Sequence, residues 1–240
     1  MHTKTRTTIT VDALATLFPH QVTTAADLIC LGLDHEELAG RCDSAEWQRV
    51  LPGVLLLSRK PPTRLQRVQA ALRYAGPGAL LTGLDALHLH GLRTVPATGP
   101  IFILANRPVE PVDGIKALRP RRHIEPVLRR GFPTAPLIRA VSDTTRFHTA
   151  PHVLRAILTD AVRRGGIPAA DLMRALSKRG DQTKQILTDL ATPPPPHPRR
   201  PTPTLRHFGV PNGENGAQRL RTRRSGQVSP GPHEGLTVDP

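Results

Sequence analysis

The stretch QVTTAADLICLGLDHEELAGRCDSAEWQRVLPGVLLL, residues 21–57, holds the clearest structural signal in this chain. Thr24 is positioned to cap a short helix, and Gly32 stands where that helix would end with a left-handed residue. Asp34 can then cap a second helix, with Glu37 three residues later completing a capping box. The pattern predicts two helices joined by a glycine turn, and the apolar residues Leu28, Ile29, Leu31 and Leu38 should supply their inner faces.

After Trp47 the pattern changes from helical to strand-like. Residues 48–51 and 54–57 read as two strands, and Pro52-Gly53 between them is typical of a tight turn. Helix, glycine turn, helix and β-hairpin, in that order, is the layout of a winged helix-turn-helix, a unit that lies on duplex DNA. Binding to double-stranded DNA is therefore the first hypothesis.

The charge of the chain supports a polyanionic partner, but it is unevenly distributed. The 240 residues carry a formal net charge of +14. Residues 1–60 hold six Lys/Arg against seven Asp/Glu, whereas residues 61–190 hold twenty against nine. Because 28 of the 33 basic residues are Arg and Pro is abundant, a composition bias also contributes. The long-range attraction to phosphate is expected mainly from the middle of the chain.

The fold class predicted for the whole chain is α+β, in three parts. These are a winged helix-turn-helix at 1–58, a mixed α/β domain at 63–190 and a disordered Pro/Arg-rich tail at 191–240, where large apolar residues are scarce. The second part is expected to contain helices over 63–75, 79–90, 137–147, 151–164, 168–178 and 183–190, and strands over 101–104, 114–118 and 123–127.

The candidate DNA contacts lie on the helix ends and the wing. Arg41 is the one strong base-reading donor on the second helix, and a bidentate bond to guanine is its expected role. Arg49 is a candidate phosphate contact, while the single Trp, Trp47, more plausibly anchors the wing in the core. Simple capping is the alternative role for the two threonines. The full set of candidates is Thr23, Thr24, His35, Arg41, Gln48 and Arg49.

No residue pattern indicates an enzyme, a metal site or a cofactor. Asp85, His88 and His90 invite a metal hypothesis, but on a helix His90 lies about 160° from Asp85, so a structural role is favoured. Arg139 and Asp143, four residues apart, should pair along a helix. There is no phosphate loop, carboxylate pair or nucleophile elbow. The chain is therefore interpreted as a binding protein with no catalytic residues.

Cellular location follows from what the sequence lacks. No apolar run approaches the roughly 20 residues that span a bilayer, and the first ten residues lack a signal-peptide core. Cys30 and Cys42 are too few for a disulfide framework and are expected to be buried thiols. A cytoplasmic protein with no membrane partner is predicted, and its oligomeric state is left open.

Several segments resemble actinobacterial proteins with the AbiEi-type antitoxin winged-helix domain. The resemblance rests on residues 21–28, the Leu-Gly-Leu around Gly32, the run Trp47-Gln-Arg-Val-Leu-Pro-Gly-Val, residues 80–92 and Arg139-Ala-Val-Ser-Asp, and it covers roughly residues 10–190. It implies a DNA-binding regulator that represses its own operon in a type IV toxin–antitoxin (abortive infection) system. It also implies a second domain that counteracts a cognate toxin.

Two departures from that family keep an alternative open. Many relatives carry several Arg in the helix before the Trp, whereas this chain has Asp34, Glu36, Glu37 and Asp43 there. Many longer relatives end in an endonuclease-like domain, and here the Pro/Arg tail stands in its place. The alternative is a truncated remnant of a nuclease-associated protein, which acts only as an interaction module.

Overall fold

The described chain begins with a small helical and sheet module. The protein is described here by a computed structural model, which covers residues 11–93, 96–148, 150–178 and 180–191. The first part of it, residues 11–58, is called the N-terminal module. Its helices are α1 (Val11–Leu17), α2 (Ala25–Cys30) and α3 (His35–Asp43), and its strands are β1 (Val22–Thr24), β2 (Gln48–Leu51) and β3 (Val54–Leu56).

The three strands of the N-terminal module form one antiparallel sheet in the order β1-β3-β2. The predicted β2–β3 hairpin is confirmed, with Arg49 opposite Leu55 and a bulge before Leu51. Strand β1 was not predicted; it pairs Val22 with Leu56 and leads directly into α2. A three-residue strand gives too short an alternation to be recognised beside a helix cap.

The helix α4 (Arg64–Ala75) packs against two different cores. Its Ala70 joins Val22 and Leu56 of the first sheet, whereas Ala71 and Leu72 belong to the main core of the following region. The helix expected to begin at Thr63 is present, and Thr63 caps it in a capping box with Gln66. The described residues up to 191 thus belong to one compact unit in which α4 is shared.

The region after α4 contains a five-stranded mixed sheet with the order β6-β5-β4-β8-β7. Strand β4 runs antiparallel to β5 and parallel to β8, which places it in the middle of the sheet. The elements are β4 (Leu80–Thr82), α5 (Gly83–Leu89), β5 (Ile101–Leu104), β6 (Ile115–Leu118), β7 (Val127–Arg129) and β8 (Phe132–Thr134).

The helix predicted over 79–90 is wrong in its first turn. Leu80–Thr82 forms the buried central strand β4, and the helix begins only at Gly83. A short continuous apolar run fits a buried strand and a buried helix equally well, so periodicity cannot separate them. The φ of +73° at Gly83 makes the sharp change of direction, and a Cβ there would lie 3.0 Å from that of Phe102.

The strand predicted over 123–127 is also wrong. The strand β7 starts at Val127, just after Pro126, a residue with no N–H to donate to a sheet. It forms a hairpin with β8 through Arg130 and Gly131, which have φ of 49° and 82°. Positive φ at both central residues is the geometry of a two-residue hairpin turn that matches strand twist.

Four helices complete the described chain: α6 (Leu137–Phe147), α7 (Pro151–Arg163), α8 (Ala169–Ala175) and α9 (Asp181–Ala191). All four were predicted, although α8 is shorter at both ends than expected. They contribute Val141, Leu158, Leu172 and Leu187 to the main core with the sheet. The fold is therefore α+β, as predicted. Residues 192–240, which hold the predicted tail, lie outside the described residues.

Candidate nucleic-acid interface

Both predicted N-caps beside the turn between α2 and α3 are present, and the capping box that the structure shows here is that of Thr24 with Asp27. Thr24 Oγ1 accepts a bond of 3.0 Å from the Asp27 amide, and Asp34 Oδ1 accepts one of 2.7 Å from the Glu37 amide. Gly32, with φ of +97°, turns the chain between the helices. Leu28 is fully buried, whereas Ile29 and Leu31 are exposed, so the inner face of α2 is narrower than the sequence predicted.

Thr23 and Thr24 both donate hydrogen bonds to the carboxylate of Asp27. Thr23 is completely buried and its hydroxyl donates to Asp27 Oδ2 at 3.1 Å; the Thr24 amide donates to the same oxygen at 3.2 Å. Burial alone would raise the pKa of Asp27, but the bonds from Thr24 and Thr23 outweigh it and hold that pKa below its ordinary value. Arg73 of α4 adds a contact of 3.7 Å. The predicted contact Thr23 thus has its hydroxyl inside the fold.

Arg41 is engaged within its own module. Its Nη2 lies 2.9 Å from Glu37 Oε1, and its Nη1 lies 3.3 Å from Glu46 Oε1. The guanidinium carbon also lies 4.8 Å from the ring centre of Trp47, a cation–π arrangement. Trp47 is only 1% exposed, which confirms its predicted role as an anchor. These three partners hold the Arg41 side chain against α3 and the start of β2.

The remaining candidates differ in exposure. His35 lies on the first turn of α3 with its side chain exposed. Arg49 is 60% exposed, and the 3.7 Å separating it from Asp43 is a weak ion pair. Gln48 Nε2 donates to the carbonyls of Ser58 and Lys60, so its amide ties the hairpin to the segment that follows. Of the six predicted contacts, His35 and Arg49 are therefore the two exposed ones.

A basic depression, absent from the predicted site, lies in the second region. We call it the arginine cleft; its volume is about 480 Å³. It joins the segment after β6 to one face of α6. A signal for it was available in the basic residues at 119–122, but no local pattern indicates that α6 forms the opposite wall. The lining residues are Arg119, Arg121, Arg122, Ile124, Arg139, Ser142, Asp143 and Arg146.

The wall of the arginine cleft contains a buried carboxylate. Both oxygens of Asp143 accept from Arg139 Nε, at 3.0 and 2.9 Å, and Oδ2 also accepts from Thr82 Oγ1 at 2.8 Å. Asp143 and Thr82 are buried, whereas the Arg139 side chain is 35% exposed. The predicted pairing of Arg139 with Asp143 is confirmed, and it is anchored to β4.

Asp85 of α5 and His90, which follows α5, form contacts within the fold. Asp85 is paired with Arg64 through two bonds of 2.8 and 2.7 Å, which join α5 to α4. The two ring nitrogens of His90 face the Ala135 carbonyl at 2.8 Å and Arg129 Nε at 3.2 Å. Within the described ranges, no group of three or more His, Cys, Asp or Glu is placed to hold a metal ion.

The same environment depresses the pKa of His90. Burial is the main cause and the cation of Arg129 adds to it, while the bond to the Ala135 carbonyl opposes them. A neutral ring with its proton on Nε2 donates to that carbonyl and accepts from Arg129, so all three groups are satisfied.

Two further observations concern the exposure of the cysteines and the search for membrane-spanning helices. Cys30 is exposed and Cys42 is half-buried, so the expectation of two buried thiols is wrong for Cys30. Cys30 is the last residue of α2, and it does not lie on the face of the helix that packs against the core. In the part of the chain that is described, no helix has the length and apolar character to cross a membrane.

Comparison with known proteins finds weak similarity, among solved structures. No model of a known protein family matches the chain, and no curated protein matches it. Among solved structures, the crystal structure of the RV2827C protein from Mycobacterium tuberculosis is similar over 75% of this chain and 74% of that one. The sequence identity is 17% and the TM-score is 0.46. These values are too low to establish a shared function.

Proposed function

We propose that the protein is a DNA-binding transcriptional regulator whose N-terminal module is a winged helix-turn-helix. The observation that supports it is the succession of α2, a left-handed glycine at Gly32, α3 and the antiparallel β2–β3 hairpin. In such a unit the second helix enters the major groove and the hairpin lies beside it on the backbone. Here α3 would be the groove helix and the β2–β3 hairpin the wing.

The resemblance to AbiEi-type antitoxins extends this proposal to a biological role. A regulator of that kind represses its own operon, and its second domain counteracts a cognate toxin. In this chain the second region begins at α4, which shares its packing with the first sheet. Because α4 contacts both the first sheet and the main core, it would connect the DNA-binding module to the partner-binding region.

The charge distribution assigns different tasks to the two regions. The N-terminal module is nearly neutral, and Asp34, Glu36 and Asp43 stand on or beside α3. Residues 61–190 have an excess of eleven basic residues and would provide the general attraction to phosphates. The N-terminal module would then discriminate between DNA sequences through a small number of contacts. His35 and Arg49 are the exposed candidates for these contacts.

The proposal is tested by measuring how binding depends on salt. The full chain is titrated onto a fluorescent duplex between about 50 and 200 mM salt, where each phosphate contact contributes roughly −0.9 to the slope of log K against log salt. Arg49→Gln should reduce the slope by about one. Arg174→Gln removes an exposed charge on α8 that is already paired with Asp171, and it should reduce the slope less than Arg49→Gln does. A salt-independent affinity would contradict the proposal.

A second candidate function is an interaction module that no longer reads DNA. The contacts of Arg41 favour it, because Glu37, Glu46 and Trp47 already hold the one strong base-reading donor of α3. The acidic surface of α3 would then face a basic protein partner. If neither Arg49→Gln nor His35→Ala changes any DNA affinity, while both regions remain folded, this second function is the better account.

A further inference from the structure

The arginine cleft combines a high charge with a small volume. Its five guanidinium groups and one carboxylate leave a net charge of +4 around a space of about 480 Å³. Among the described residues, Arg139 is the one lining arginine that forms an ion pair with a carboxylate. Cations held this close repel one another, and a bound anion would relieve that repulsion.

We propose that the arginine cleft binds a compact oligophosphate, such as the polyphosphate chain of a nucleotide. This inference does not depend on the DNA-binding function. Arg matches phosphate geometry with paired hydrogen bonds and is the side chain best suited to such ligands. One phosphate monoester carries at most about two negative charges. A net +4 is therefore matched by two or more adjoining phosphates, not by one.

One of the five guanidinium groups is already held in place. Both oxygens of the buried Asp143 accept from Arg139 Nε, and Oδ2 also accepts from Thr82 Oγ1 on the central strand. An Arg side chain has five N–H donors, and this pairing uses only the one on Nε. The others remain available for an anion, so Asp143 acts as a positioning residue for Arg139.

The shape and lining of the cleft argue against a nucleic acid as its main ligand. A space of this volume is roughly 10 Å across, less than the width of about 12 Å for the major groove alone, so a duplex could only touch its rim. None of the described lining residues is aromatic, whereas sites for single-stranded nucleic acids stack bases on aromatic rings. Ile124 is the one large apolar contact. The phosphates are the groups that the cleft can recognise.

Calorimetric titration of the full chain tests this site with three inorganic probes: phosphate, pyrophosphate and tripolyphosphate. We expect saturable binding of one tripolyphosphate per chain, and phosphate at least about tenfold weaker, since each lost bond to a charged group costs about a factor of ten or more. A nucleoside triphosphate should bind at least as tightly as tripolyphosphate. Tighter binding would show that the nucleoside also contributes.

Matched double variants separate a built site from general surface charge. Arg121→Gln/Arg122→Gln should weaken tripolyphosphate binding at least about tenfold. Arg174→Gln/Lys178→Gln removes the same charge from exposed positions outside the cleft and should leave it unchanged. Thermal unfolding of both variants checks that they fold. Equal weakening by both pairs, or no saturable binding of tripolyphosphate, would overturn the proposal.

A further experiment distinguishes a free oligophosphate from the phosphate backbone of DNA as the ligand of the arginine cleft. Tripolyphosphate and duplex DNA are each titrated onto the wild-type chain and onto Arg121→Gln/Arg122→Gln, and binding is followed by calorimetry. A site for oligophosphate should saturate with tripolyphosphate in the absence of DNA, and the double variant should weaken that binding. If Arg121→Gln/Arg122→Gln weakens only duplex binding and tripolyphosphate never saturates, the cleft is a backbone contact of DNA and the oligophosphate site is refuted.

Discussion

Replacing Arg41 with Ala should destabilise the N-terminal module, because this side chain connects α3 to the start of the hairpin. The variant loses ion pairs of 2.9 Å to Glu37 and 3.3 Å to Glu46, whose side chains are 34% and 25% exposed. Such partly exposed pairs contribute roughly 0.5 kcal/mol each. The contact over Trp47 adds about 0.5–1 kcal/mol. The expected loss in the free energy of unfolding is therefore about 1.5 kcal/mol.

Trp47 makes this loss directly measurable. It is the only Trp in the chain and lies in the affected core, so its fluorescence during urea unfolding reports on the N-terminal module. Arg49→Ala is the matched control, since that side chain is 60% exposed and its ion pair with Asp43 spans 3.7 Å. The control should change the stability by less than about 0.5 kcal/mol.

The result also decides what Arg41 does. If Arg41→Ala unfolds at the same urea concentration as the wild type, its three contacts do not stabilise the module. The side chain would then be free to swing toward a base, as the sequence alone suggested. A loss close to the expected value, together with unchanged DNA preference, assigns Arg41 to the fold.

Three further predictions test the packing and the titration of the fold. In urea unfolding, Gly76→Ala should lower the free energy of unfolding by about 1–2 kcal/mol, because Gly76 has a φ of +82°. Gly40→Ala inside α3 should raise it by roughly 0.5–1 kcal/mol, because a Cβ there meets nothing within 4 Å. Leu28→Ala should cost about 2–5 kcal/mol and the exposed Ile29→Ala much less, measured through Trp fluorescence. The pKa of His90 lies below its ordinary 6.5, so its contribution to stability is fully present above pH 6.5 and is lost as the pH falls through the lower folded value; thermal unfolding of His90→Gln should depend less on pH in that range.

Local signals in the sequence were sufficient to predict the helix starts and the hairpin. Thr24 and Asp34 cap the helices that they were expected to cap, because a cap depends on hydrogen bonds within a single turn. Thr63 caps the helix that was expected to begin there. The turn at Gly32 and the hairpin around Pro52-Gly53 are local for the same reason. Each of these features is determined by a few neighbouring residues.

The features that sequence reasoning missed depend on residues far apart in the chain. Leu80–Thr82 is a strand because β5 and β8 pair with it on both sides, and nothing within those three residues indicates that. The contacts of Arg41 with Glu46 and Trp47, which form after the chain turns back, were not predicted either. The arginine cleft likewise needs α6 beside the segment after β6, a contact that no local pattern predicts.

Discrimination between two DNA sequences tests the proposed regulator most directly. The full chain is titrated by fluorescence onto the DNA upstream of its own gene and onto a scrambled duplex of the same length and composition, at one fixed salt concentration. Phosphate attraction is equal for both, so any difference reports base reading or DNA shape. The account predicts clearly tighter binding to the upstream DNA, by a ratio that His35→Ala and Arg49→Gln each reduce. Equal affinity for the two duplexes would contradict it and leave the interaction module as the function.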